Sequence, residues 1–214
     1  GYGAGESVTF TIAYRTRKVN ESDPNSLSGS NGKGLRFFSP TSTEPIKRPQ
    51  IWSMGEFASN RYWFPGYDAP DDFRTLELKA TVPAPLTAIG NGDLVSTAVH
   101  PDGTRTFHWK MDIPHPNHQT TFVASEYTEV KQEWNGIPLH SFSYPDEREA
   151  TAASVVRVSD MMRFFSELTG ARYPFSRYSQ VFVQDLPWGV PGSGTATLTE
   201  NMVDDEPTHE DYRF

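Results

Sequence analysis

The 214-residue chain contains no cysteine, which excludes disulfides and thiolate metal ligation together. It is also short of positive charge, with 19 Lys and Arg against 27 Asp and Glu and a net charge of −8. There is no cationic surplus to neutralise phosphates and no polybasic run to meet an anionic lipid surface. Neither nucleic acid nor a membrane is therefore expected as a partner. No apolar run approaches the ~18 residues of a membrane-spanning helix. A secretory leader is missing too, and Gly1-Tyr2-Gly3-Ala4-Gly5 reads as a fragment boundary and not as a natural start. A cysteine-free chain suits the cytoplasm and a bacterial periplasmic or secreted setting equally, so the compartment stays open.

What is present describes a globular protein: 36% hydrophobic and 21% charged residues. The early part alternates with the period of β-strands. Val8, Phe10, Ile12 and Tyr14 form one face of an expected strand, and residues 20–34, rich in Asn, Ser and Gly, an expected loop that holds the weak sequon Asn20-Glu21-Ser22. Leu76, Leu78, Ala80 and Val82 alternate up to Pro83. Asn91-Gly92-Asp93 is a tight-turn signal between Leu86–Ile89 and Leu94–Val99. Phe107, Trp109 and Met111, then Phe122–Tyr127 and Ile137–Phe142, continue the series, which is the pattern of an antiparallel β-sandwich.

The period then changes. Val155, Val158, Met162, Phe165 and Leu168 recur at helical spacing, predicting one amphipathic helix over about 147–169 with Asp146 as N-cap and Gly170 as its stop. The short apolar run at about 180–184 predicts a strand. The expected organisation is a β-sandwich over 1–143 and a second unit opening at 144–214.

The densest feature is Gly55–Asp72, where Tyr62, Trp63, Phe64 and Tyr67 crowd between Glu56, Arg61, Pro65 and Pro70. Proline fixes φ and restricts its predecessor, so this is an extended, turning loop. Asp68, two residues before Pro70, is placed to close it by a side-chain-to-backbone bond. Read as residues alone, the loop is a buried aromatic corner with a surface ion pair.

This loop resembles the signature loop of the aminopeptidase N family of zinc gluzincins, roughly Q-x-E-x(4)-R-x-x-F-P-C-x-D-x-P. Glu56, Arg61, Phe64, Pro65, Asp68 and Pro70 match it, while Met54 stands at the Gln and Gly66 at the Cys. Residues 76–99 and 105–127 resemble later strands of the family's saddle-shaped β-domain, and 172–187 its first helix–strand passage in a thermolysin-like catalytic domain. The resemblance implies that Glu56 inherits the contact to a substrate's free α-amine. It also implies that the earliest β-domain strands precede Gly1, leaving an exposed edge that predicts pairing with a second copy.

The family's second element, a G-x-M-E-N loop, is degenerate here. Trp188-Gly189 and Thr195–Thr199 match its flanks, but Pro191 and Gly192 replace Met and Glu. Gly189 and Val190 are carried over as substrate-loop candidates. Zinc binding in the family requires H-E-x-x-H, which would follow residue 214; His209-Glu210 places Arg213 at the second ligand position, and a guanidinium cannot bind zinc. His115 and His118, between prolines, predict a turn. No metal or catalytic residue is assigned to this chain, and zinc is expected only in a longer parent.

The resemblance thus implies a fragment of a zinc aminopeptidase acting on peptides. Two alternatives are a catalytically silent relative that binds a protein partner, and a carbohydrate-binding sandwich stacking sugars on Trp52, Tyr62 and Trp63.

Overall fold

The computed structural model describes residues 3, 5–16, 34–56 and 58–204. In chain order its strands are β1 (Leu35–Phe38), β2 (Gln50–Ser53), β3 (Phe73–Pro83), β4 (Thr87–Gly90), β5 (Asp93–Val99), β6 (Thr104–Pro116), β7 (Phe122–Ser125), β8 (Thr128–Trp134), β9 (Ile137–Ser143), β10 (Tyr178–Val183) and β11 (Thr195–Thr199). Helices α1 (Arg148–Ser154) and α2 (Val158–Thr169) lie between β9 and β10. The fold is mainly β, with antiparallel sheets followed by helix.

Three sheets result. The orders β1-β2-β7-β4 and β3-β6-β5 are antiparallel, and β11-β10-β9-β8 is mixed, with β10 parallel to both β9 and β11. The alternation in β3 and β6 sets their register. Ala80 opposes Phe107 and Leu78 opposes Trp109, and these side chains face the main core around Trp52, Ile89 and Val123. A second cluster joins Ile137, Leu139 and Phe182 of the mixed sheet to Val155 and Val158 of the helical region.

Several expectations are corrected. Residues Val8–Tyr14 form no strand and stand exposed, Phe10 at 72%, because no neighbouring strand among the described residues reaches them. The helix predicted over 147–169 is broken at residues 155–157. The β-branched pair Val155-Val156 disfavours a continuous helix, and burial of both Val155 and Val158 in the second cluster draws the break inward. Asp146 does not cap it but pairs with Arg48 at 2.9 Å, whereas Gly170 ends α2 in the left-handed conformation as expected. Phe165 and Leu168 are exposed, so only the first half of the apolar stripe is core. Strand β9, which ends at Ser143, pairs with β10 in the mixed sheet. His115 sits in β6, not in a turn. Strand β5 ends opposite Lys110, so beyond it β6 has an open side where Pro114 and Pro116 cost little pairing.

The Asn91-Gly92 turn joins β4 to β5, which lie in different sheets. Asn91 is fully buried, and its amide makes three bonds to two separate segments: Oδ1 accepts from Thr121 N (2.6 Å), and Nδ2 donates to Gln119 O (3.1 Å) and Ser193 O (2.9 Å). Gly92 follows at φ +79°, with Lys110 O occupying the space a side chain would need. Asn91→Ala strands a buried N–H and two carbonyls, so it is expected to lower unfolding free energy by about 2–3 kcal/mol in a urea titration; a loss within experimental error would contradict this role.

Candidate functional site

The turn Asn117–Gln119 organises the site, because each of its residues faces a different part of the molecule. Asn117 holds the aromatic loop. Its carbonyl accepts from Asn60 Nδ2 (2.6 Å), its Nδ2 donates to Asp68 Oδ1 (2.6 Å), and its Oδ1 accepts from Arg74. Asn60, fully buried, also accepts from Trp63 Nε1 at 2.7 Å. The loop's arginine does not pair with Glu56. Arg61 donates its backbone N–H to Asp68 Oδ2 (2.9 Å) and its guanidinium to Asp68 O (3.1 Å), so Asp68 closes the loop against Arg61 and Asn117 at once.

His118 lines a cavity of about 510 Å³ with Glu56, Ala58, Asp68, Ala69 and Pro70. Glu56 is half-buried in the turn after β2, and its carboxylate makes no hydrogen bond or ion pair among the described residues. Asp68, by contrast, spends its oxygens inside the protein. Glu56 is therefore the acidic group in this wall that remains available to a cationic ligand. Gly55 before it packs so close to His118 O that a Cβ would lie 2.4 Å away, which fixes the turn.

Gln119 faces the degenerate loop, where its Oε1 accepts from Ser193 Oγ at 2.6 Å. The structure thus brings the Glu56 turn and the 189–194 loop onto one short segment. Within that loop, Val190 is buried and its backbone pairs with Thr197 in both directions, N–H to O at 2.7 Å and O from N–H at 3.0 Å. These groups lie on the outer edge of β11 and are consumed there, leaving none on Val190 for an added peptide strand. Gly189 approaches Leu198, which limits side-chain growth. At Gly192 a Cβ would meet Thr195 O at 2.2 Å and Thr121 Oγ1 at 2.4 Å.

The sugar-stacking residues are not presented together. Trp52 is fully buried, stacked on Phe38 and bonded through Nε1 to Gln184 O, while Trp63 packs between Phe64 and Phe122; only Tyr62 is exposed. Together the three offer no shared stacking face. Among the described residues no three His, Asp or Glu side chains converge as a metal site requires. The string around His209 and the sequon at Asn20 lie outside the described residues. Not visible in the sequence are the roles of the buried amides Asn60, Asn91 and Asn117.

His115 stands two residues before this turn, 1% exposed, with Nδ1 3.3 Å from Ile113 O and Nε2 3.4 Å from Thr120 Oγ1. Burial holds its pKa below the ordinary imidazole value, reinforced by Arg74. The unfolded chain then binds the extra proton as pH falls below about 6.5, so folding stability is full above that value and declines beneath it. Urea midpoints measured across this range are expected to fall on acidification, with a shallower decline for His115→Gln; an unchanged pH profile in that variant would rule out His115 as the group responsible.

No protein-family model matches the chain. It is similar to transcription initiation factor TFIID subunit 2 of Gallus gallus, 26% identical over 155 residues that cover 71% of this chain and 13% of that protein. The subunit of Danio rerio gives the same identity and coverage. That of Drosophila melanogaster is 28% identical over 141 residues, covering 65% of this chain and 12% of that protein. The chain therefore spans about an eighth of the length of the curated relatives it matches.

Proposed function

We propose that this chain belongs to an aminopeptidase N-like protein that does not catalyse and serves as a protein-interaction scaffold within a multi-subunit assembly. The observation that carries the reading is Gly192. The family pattern calls for a glutamate here, but the position is closed by Thr195 O and Thr121 Oγ1. Exopeptidase selectivity rests on carboxylates bonding an ammonium group, each such bond contributing about 1.5–3 kcal/mol. Glu56 retains one of these, and the second has neither a side chain nor the room for one. The names of the similar proteins, subunits of transcription initiation factor TFIID, support the scaffold over a peptidase.

In this reading the Glu56 cavity is the remnant of a substrate cleft, and its free carboxylate suits a cationic group on a protein partner. Zinc, which the resemblance implies for a full-length peptidase, finds no ligand set among the described residues.

The test uses the full-length parent purified from its native source. It is expected to elute with other initiation-factor subunits, without stoichiometric zinc and without release of the chromophore from an aminoacyl nitroanilide. A free, zinc-loaded species that hydrolyses the nitroanilide would overturn the proposal.

A further inference from the structure

Strands β10 and β11 run parallel, so residues 184–194 must carry the chain back along the sheet. Crossovers between parallel strands are usually helical, and a helix pairs most of its own backbone groups. These described residues form no helix, so contacts from other segments set their path. The middle of the crossover is tied by the Val190–Thr197 bridge, and its end by the bonds of Ser193 to Asn91 and Gln119.

The start is tied by residues 47–52, which are remote in sequence. Gln184 N–H donates to Tyr144 Oη (2.9 Å) and Gln50 Oε1 (3.2 Å), and its carbonyl accepts from Gln50 Nε2 and Trp52 Nε1, each at 3.2 Å. Its Oε1 accepts from Arg48 N at 2.9 Å. These bonds fasten the end of β10 to β2 and reach no further along the crossover.

Asp185 is the first residue beyond them, and it stands at φ +64°. Left-handed backbone is strained for most side chains, less so for Asp and Asn, and it persists where the surroundings hold it. Here the holding group is Lys47, whose Nζ lies 2.7 Å from Asp185 Oδ2, both side chains being partly buried. Lys47 is in turn placed by Glu44 at 3.2 Å and by the Phe38 ring. Among the described residues this is the one side-chain hydrogen bond made by residues 185–189. From Asp185 the chain enters the main core at Leu186 and reaches the bridge at Val190. The Lys47 contact therefore sets the direction in which the crossover leaves β10.

We propose that Lys47 and Asp185 form a clasp that keeps the 185–194 crossover seated on β11, so that the segment before β2 positions the loop that meets the Asn117–Gln119 turn. Both are positioning residues. The clasp does not depend on whether the parent is a peptidase or a scaffold.

Urea titration of the 214-residue chain tests this, because residues that act through one loop path are not additive with a change in that path. Lys47→Met is expected to lower the unfolding midpoint by about 0.3 M, the size of one partly exposed ion pair. Asp185→Asn keeps a residue that tolerates the left-handed backbone and is expected to lower the midpoint too. The double variant should fall no further than Lys47→Met, and Lys47→Arg should keep the wild-type midpoint. The same substitutions are then made in Gly192→Ala, whose Cβ would meet Thr195 O at 2.2 Å and displace the crossover. Val190→Pro, which removes the N–H bonded to Thr197 O, replaces it if that variant does not fold. In either displaced background Lys47→Met is expected to leave the midpoint unchanged. Equal shifts in both backgrounds would show the pair and the crossover to be independent and would overturn the proposal. So would the absence of a shift in the wild-type background, or a loss with Lys47→Arg as large as that with Lys47→Met.

Discussion

The architecture depends on one buried side chain, the amide of Asn91. It stands where the chain passes from one antiparallel sheet to another, and its three hydrogen bonds reach Thr121, Gln119 and Ser193. A primary amide suits this task because it donates and accepts at once, and burial makes an unfilled partner costly. Without that tie the Asn117–Gln119 turn and the 193 loop would be joined mainly through Ser193 Oγ and Gln119. The contacts of Glu56, Asp68 and Ser193 all depend on that turn being held.

Two unlike features meet at the Asn117–Gln119 turn. On one side Glu56 keeps an uncommitted carboxylate beside a cavity, in a turn fixed by the packing of Gly55 on His118. On the other, the loop at 189–194 folds onto β11 and spends its backbone groups on Thr197. At Gly192 the loop closes against Thr195 O and Thr121 Oγ1, which leaves no room for a side chain. Pro191 fits this path, since it lacks the backbone N–H that an added strand would use.

Much of the β architecture was legible because alternation and turn residues are local signals. Leu78-Lys79-Ala80 and Phe107-His108-Trp109 declare their inward faces in the sequence, and the structure pairs them as such. Other features were not legible, for physical reasons that differ. Strand β8 is polar on its exposed face and escaped notice, although Asn135-Gly136, both at positive φ, marks its hairpin with β9. The sequence offered Asn91-Gly92 as a turn but not the fact that it joins two sheets, because sheet membership is set by long-range pairing. The roles of Asn60 and Asn117 were invisible for the same reason: a buried asparagine looks like any loop residue until its partners, 57 positions apart, are seen together. Glu56 was recognised only through resemblance, and its isolation from Arg61 emerged from three dimensions.

In the resting molecule the 189–194 loop is closed onto β11. Residue-resolved amide hydrogen exchange tests it most directly at Val190 and Thr197, whose N–H groups form the reciprocal bridge. The account predicts protection of both amides comparable to that of the β10 amides. Rapid exchange at Val190 and Thr197 while β10 stays protected would mean that the loop opens and that β11 has a free edge, which would contradict it.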